Sequence, residues 1–186
     1  MENKKVSVWK GVMNPAIMLG FALIIYSLIL YFFDQTFNKS LGYVSLLIII
    51  IGVVLGIRSF REESRGGIIS YGQAVGAGTV IGLYAGIIGA IFTFLLYKVI
   101  DPDLMEKFYT FTEEQMLEKG RIPEEMIEQS MEGMKKIMSP LVISLGGILN
   151  SVFVGVIVSL IAGIFLKKEG DAYQKDMAEV ENKSTE

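Results

Sequence analysis

The sequence predicts an all-α, polytopic membrane protein with four transmembrane helices and an extracytoplasmic amphipathic helical hairpin. Four runs, 11–33, 40–57, 66–97 and 137–166, contain no Asp, Glu, Lys or Arg and together exceed half of the 186 residues. A helix rises about 1.5 Å per residue and a hydrocarbon core is roughly 30 Å thick, so about 20 apolar residues cross it. The runs lack the alternation of barrel strands. Lipid offers no partner to backbone N–H and C=O groups, so helices are the spanning form they can take. A hydrophobic content of 52% and a mean hydropathy of +0.49 leave room for four spans and one modest water-exposed segment. The chain is accordingly read as one integral membrane domain, 1–186.

The first span is placed at 14–33, where Asn14-Pro15 sets a capping side chain before a proline whose missing N–H does no harm. Lys4, Lys5 and Lys10 precede it as in a secretory signal. The run is too long for an h-region, however, and ends in Tyr31-Phe32-Phe33-Asp34 rather than a small-x-small site, so it is expected to stay attached as a signal anchor. The second span is 41–57. The third, 70–97, comes after the break at Gly66-Gly67 and opens with Ser70 and Gln73 as a capping box. Asp101-Pro102 starts an external helical segment, 101–138, and Ser139-Pro140 starts the fourth span, 140–166, before a cytoplasmic tail, 167–186.

Positive residues near span ends resist translocation. One side holds Lys4, Lys5, Lys10, Arg58, Arg61, Arg65, Lys167 and Lys168, and the other holds Lys39, Lys98, Lys135 and Lys136. Both termini are therefore expected to be cytoplasmic. Trp9, Tyr31, Tyr43, Tyr71 and Tyr97 fall near span ends, as interfacial aromatics do.

Composition removes several function classes. A net charge of −3 gives no basic field for nucleic acid. The absence of Cys and His removes disulfides, thiol nucleophiles, imidazole bases and the usual zinc, haem and iron–sulfur ligands, so no cofactor is expected. It also leaves no thiol for a lipid anchor. No charged residue lies inside a predicted membrane core, which argues against proton relays and coupled pumps. Of the polar residues at depth, Asn150 is the costliest to leave unpaired, and an interhelical hydrogen bond is its expected fate.

The third span repeats a small residue every fourth position at Ala74, Gly78, Gly82, Gly86 and Ala90, and the fourth does so at Ser151, Gly155, Ser159 and Gly163. Residues four apart share a helix face, so each stripe is a smooth groove where two backbones approach closely. Packing of span three on span four within one chain is the plainer reading. A homo-oligomer or another membrane protein is the sharper one. A weak parallel repeat, aligning 50–62 with 157–169, matches Gly56 with Gly163, and chance similarity among apolar helices explains it equally well.

Between Lys98 and Lys136 the chain carries ten acidic and six basic residues, enough charge to place it in water. A first helix stops at Gly120, an αL cap, with Leu104, Phe108 and Phe111 at helical spacing. A second starts near Pro123 and aligns Ile127, Met131, Met134 and Met138 on one face. These faces are expected to pack on each other, lie on the bilayer or receive a partner. The Met131, Met134 and Met138 thioethers are soft enough for Cu(I), but core filling is the stronger reading without Cys or His beside them. Glu113, Glu114, Glu118, Glu124, Glu125, Glu128 and Glu132 lack the turn geometry of a hard-cation site and read as a solvated face.

The most distinctive string is 58–73, RSFREESRGGIISYGQ, in which alternating charges lead to a glycine pair and a capped helix start. In Arg58, Arg61, Glu62, Glu63, Gly66, Gly67, Ile69, Ser70, Tyr71, Gly72, Gln73 and Ala74 the chain resembles the bacterial membrane proteins grouped as domain of unknown function 4199. It also resembles them in having four spans and a long third connection. The resemblance implies a small inner-membrane protein of the Bacteroidota type, with no activity, substrate or catalytic residue to carry over. From the residues alone, the string is an inner turn positioning span three or a docking loop.

The leading functional expectation is a non-enzymatic structural or accessory interaction subunit that self-associates, with the bilayer and membrane proteins as its partners. The alternative is an oligomeric small-solute carrier or channel, and the third is an interfacial membrane enzyme, for which no acid–base or nucleophilic constellation is visible. The topology is directly testable because no native thiol interferes. Single Ser59→Cys and Thr112→Cys variants should react with an impermeant maleimide from opposite faces, and equal labelling of both from outside would overturn the arrangement.

Overall fold

The computed structural model describes residues 6–120 and 123–168, so Lys4, Lys5 and most of the predicted tail lie outside the described residues. Among the described residues seven α-helices run in order: α1 Val8–Gly11, α2 Met13–Phe32, α3 Lys39–Ser59, α4 Tyr71–Leu95, α5 Leu104–Lys119, α6 Glu124–Ile137 and α7 Pro140–Leu166. Among the described residues no strand forms. Four helices among the described residues are long and apolar enough to cross a membrane: Met13–Phe32, Lys39–Ser64, Tyr71–Ile100 and Pro140–Leu166. The chain is an all-α polytopic membrane protein.

Local chemistry explains most helix ends. Ser70 and Gln73 form the capping box, with the Ser70 hydroxyl accepting from Gln73 N at 3.4 Å and the Gln73 side chain accepting from Ser70 N at 3.2 Å. Ser139 caps α7 by accepting from Val142 N at 3.3 Å, with Pro140 in the first turn. Gly120 ends α5 with φ of 56°, a left-handed conformation glycine takes without a Cβ penalty. Pro123 precedes α6 as expected.

Two helix starts differ from expectation. Asn14 does not cap α2, which begins at Met13 almost continuously with α1. Pro15 has no N–H to give the Gly11 carbonyl, and the break falls at Val12, three residues before the proline rather than beside it. Likewise Asp101 does not cap α5. Residues 101–103 form a tight turn in which Asp101 N donates to Leu96 O at 2.8 Å, and α5 starts at Leu104.

The second span runs past Ile57 to Ser59 and then into a π-helical turn, Phe60–Ser64; the third likewise ends in the π-helical turn Leu96–Ile100. A π turn inserts a residue and rotates the side chains beyond it around the helix axis. Tyr97, near the end of the third span, is buried with Leu96 and Leu104. Trp9 sits edge-on to Tyr84, with ring centroids 5.9 Å apart.

Helix α4 is the hub of the bundle, touching α2, α3 and α7. The core joins Val12, Ala16 and Leu19 to Val53, Ile57 and Phe60, and then to Ala77, Ile81 and Ala85 of α4. At the far end of the bundle a second cluster forms around Leu96, Tyr97 and Leu104. Phe37, in the α2–α3 connection, stacks on Phe111 at 5.5 Å and tilts against Phe108 at 6.3 Å. The α5 helix is thereby seated on the end of the bundle, and Lys107 reaches Asp34 at 3.3 Å across the same contact.

The α6 helix buries Ile127 and Met131 and exposes Glu128 and Glu132. The Tyr109 hydroxyl donates to the Met138 carbonyl at 2.9 Å, tying the end of α6 to α5. The buried Met131 thus belongs to the apolar side of α6, where a flexible thioether fills irregular space.

Aromatic pairs contribute about 0.5–1.5 kcal/mol each beyond the area they bury. Phe37→Ala should therefore loosen α5 by about 1–3 kcal/mol. Hydrogen exchange across 104–119 should speed up while 74–90 stays protected; unchanged protection of α5 would refute the role of Phe37.

Candidate functional site

Two groups of residues singled out in the sequence meet at α7. The first is the small-residue seam. A β-carbon placed on Gly82 would lie 2.6 Å from the carbonyl oxygen of Ser151, and one on Gly155 would lie 2.8 Å from the carbonyl oxygen of Gly78. On Gly86 it would meet Ser151 Cβ at 3.1 Å and Ile148 Cα at 3.2 Å, and on Gly78 it would collide with the Ser159 side chain. At one end, a β-carbon on Gly163 would lie 3.1 Å from the Tyr71 ring and 3.6 Å from Ala74 Cβ. The two stripes are thus antiparallel and face one another within a single chain. Ala90 is buried at the far end of α4.

Hydrogen bonds fasten this seam. The Ser159 hydroxyl donates across it to Val75 O at 3.3 Å and along its own helix to Val156 O at 2.9 Å. Tyr71 donates to Leu160 O at 3.2 Å. Ser151 is buried with its hydroxyl unpartnered among the described residues. Ser144, also buried, donates to Pro140 O at 2.7 Å.

The second group is the α3–α4 loop. Arg58 Nε donates to Glu62 at 3.0 Å, Arg61 Nη2 donates to the same carboxylate oxygen at 3.1 Å, and Ser59 donates to Glu63 at 2.8 Å. The Arg61 side chain is only 16% exposed and sends Nη1 to the Leu166 carbonyl at 3.2 Å. The last carbonyls of a helix lack intrahelical partners and carry the negative end of its dipole. Arg61 therefore caps α7 from a different segment of chain. Next to it, Ile69 and Lys168 exchange backbone hydrogen bonds at 3.0 and 2.9 Å.

Gly66 and Gly67, with φ of 61° and 88°, make the reversal that brings Ile69 there. Gly67 N donates to Arg61 O at 2.8 Å within the same turn. Arg65 lies 5.3 Å from the Phe60 ring centroid, and Phe60 itself is packed under Gly11. Gly72 has open space where a side chain would be, and Gln73 is spent on the cap. The family-like string is thus a clasp that locks the start of α4 and the end of α7 together.

Chemically the arrangement offers little. A cleft of about 680 Å³ between α2 and α3 is lined by apolar side chains with Asn14, Ser59 and Glu63 among them, a single carboxylate held by a hydroxyl. Among the described residues no three His, Cys, Asp or Glu side chains gather as metal ligands would. Among the described residues Asn150 makes no interhelical hydrogen bond, contrary to expectation. Its side chain lies on the exposed face of α7, one residue off the seam-facing Ser151.

A family profile described as Protein of unknown function (DUF4199) matches residues 15–168. The chain belongs to that family, and the matched region covers the spans, the clasp and the loop helices together. No curated protein and no solved structure matches the chain.

Side chains that must push against backbone cost about 1–3 kcal/mol or more, because the backbone has little room to yield. Gly82→Leu should lower unfolding stability in mixed micelles by about 3 kcal/mol. Gly89 has nothing within reach of an added β-carbon, so Gly89→Leu should stay within about 1 kcal/mol of the parent. Equal effects of the two variants would remove the seam's importance.

Proposed function

We propose that this chain is a non-enzymatic accessory interaction subunit of the bacterial inner membrane, with both termini in the cytoplasm and α5–α6 on the outer side. The observation that carries the reading is the closed seam. Direct contact between the backbones of α4 and α7 leaves no room for a solute between those two helices. A polar pathway would need groups aligned through the bundle. The buried polar side chains among those described are Ser144, Ser151 and Ser159, and two of them bond to nearby carbonyls.

A rigid core with folded segments on both faces suits the holding of a partner. Orientation is supported by the gathering of Arg58, Arg61, Arg65 and Lys168 at the clasp, against Lys39, Lys98, Lys135 and Lys136 at the other end. Because the stripes are occupied within the chain, partner contacts fall to outward helix faces and to α6, where Met126 and Ile137 are exposed.

Crosslinking in native membranes, with identification of the attached proteins, tests this reading. One membrane protein should be recovered in constant ratio to the chain. Recovery of the monomer alone at native abundance would overturn it.

A further inference from the structure

Asn150 is the eleventh residue of the 27-residue α7, which places its carboxamide within the hydrocarbon core rather than at an interface. The side chain is exposed on the outward face and makes no hydrogen bond within the described chain. Lipid tails supply neither donor nor acceptor, so an amide at this depth is stabilised only by another protein surface or by water drawn in with it.

The surface around it is shaped for a helix. Asn150 lies with Leu149, Val152, Phe153 and Val156 around a shallow hollow. One turn earlier, a β-carbon on Gly146 or Gly147 would meet nothing within 4 Å, so another backbone can approach closely there.

The geometry points to a parallel, two-fold homodimer in which α7 of each copy lies against α7 of the other and the two Asn150 side chains pair. This rests on reading the chain as an interaction protein and names its partner on this face. Copies inserted in the same orientation are related by an axis along the membrane normal, so a residue on that axis meets itself. A carboxamide is one of the few side chains that satisfies its own copy, each donating an N–H to the other's carbonyl oxygen. A charged or donor-only group could not do so. Face and side chain therefore favour a second copy over a chemically different partner.

The test uses the full chain in vesicles of bacterial phospholipid, with single cysteines introduced into a sequence that has none. Gly146→Cys and Phe153→Cys should form intermolecular disulfides under mild oxidation, whereas Ile91→Cys, on the outward face of α4, should remain monomeric. Asn150→Leu removes no intrachain bond and should leave thermal unfolding of the monomer unchanged while weakening dimerisation about 3- to 30-fold, the span of interhelical hydrogen-bond strengths. Crosslinking at Ile91 as efficient as at Gly146, no disulfide at either α7 position, or an unweakened Asn150→Leu dimer would each overturn the proposal. Native-membrane crosslinking can still recover a different protein in any of these cases, so failure of the dimer and failure of the accessory role are told apart.

Discussion

The rest of the molecule depends on backbone contact between α4 and α7. Inside a bilayer the hydrophobic effect does little to hold helices together, because lipid tails are as apolar as the side chains they replace. The remaining attraction is dispersion, and dispersion rewards atoms brought close over a long length. Gly78, Gly82, Gly86 and Gly155 remove the side chains that would keep the two axes apart, and the facing carbonyls of Gly78 and Ser151 occupy the space. Ser159 adds a hydrogen bond without adding width.

A seam of this kind holds two rods together but does not fix their ends, and the connecting segments supply that. At one end Arg61 reaches from the α3–α4 loop to the last turn of α7, and Ile69 pairs with Lys168 beside it. At the other, Phe37 docks onto Phe108 and Phe111, setting the α5 helix over the ends of α2 and α4. The exposed ion pair of Lys39 with Glu118, at 3.7 Å, adds little by comparison. Both ends of α4 are therefore bound to segments distant in sequence.

How much of this is legible in the sequence depends on the range of the interaction. Spans, stripes, the Ser70 and Ser139 caps and the Gly120 stop are written in residues within four positions of each other, and periodicity reads them directly. Asn38, which caps α3 by accepting from Ser40 N and Leu41 N, carries the same local signal, but inside a polar turn between two spans it does not stand out from its neighbours. Arg61 reads as part of a charged string. Its role as a cap exists only once residue 166 is placed beside it. Phe37 is similarly silent, an aromatic in a loop whose ring partners lie more than seventy residues away. The two π turns leave no periodic mark, and the burial of Tyr97 at the end of its span is not read from spacing.

The outward placement of Asn150 is a consequence of the seam itself. Ser151, Gly155, Ser159 and Gly163 commit one face of α7 to α4, and a helix advances 100° per residue, so Asn150 is turned well away from that contact. A bond from it to a neighbouring helix requires a bundle that closes around α7. In this bundle α7 meets α4 along its small-residue face and touches α3 beside it, while Leu149, Phe153 and Ile157 remain exposed. The stripe most suggestive of assembly is consumed in building the monomer, and the polar residue suited to an internal fastener is left facing outward. Close packing on one side of a helix thus decides which residues remain for contact on the other.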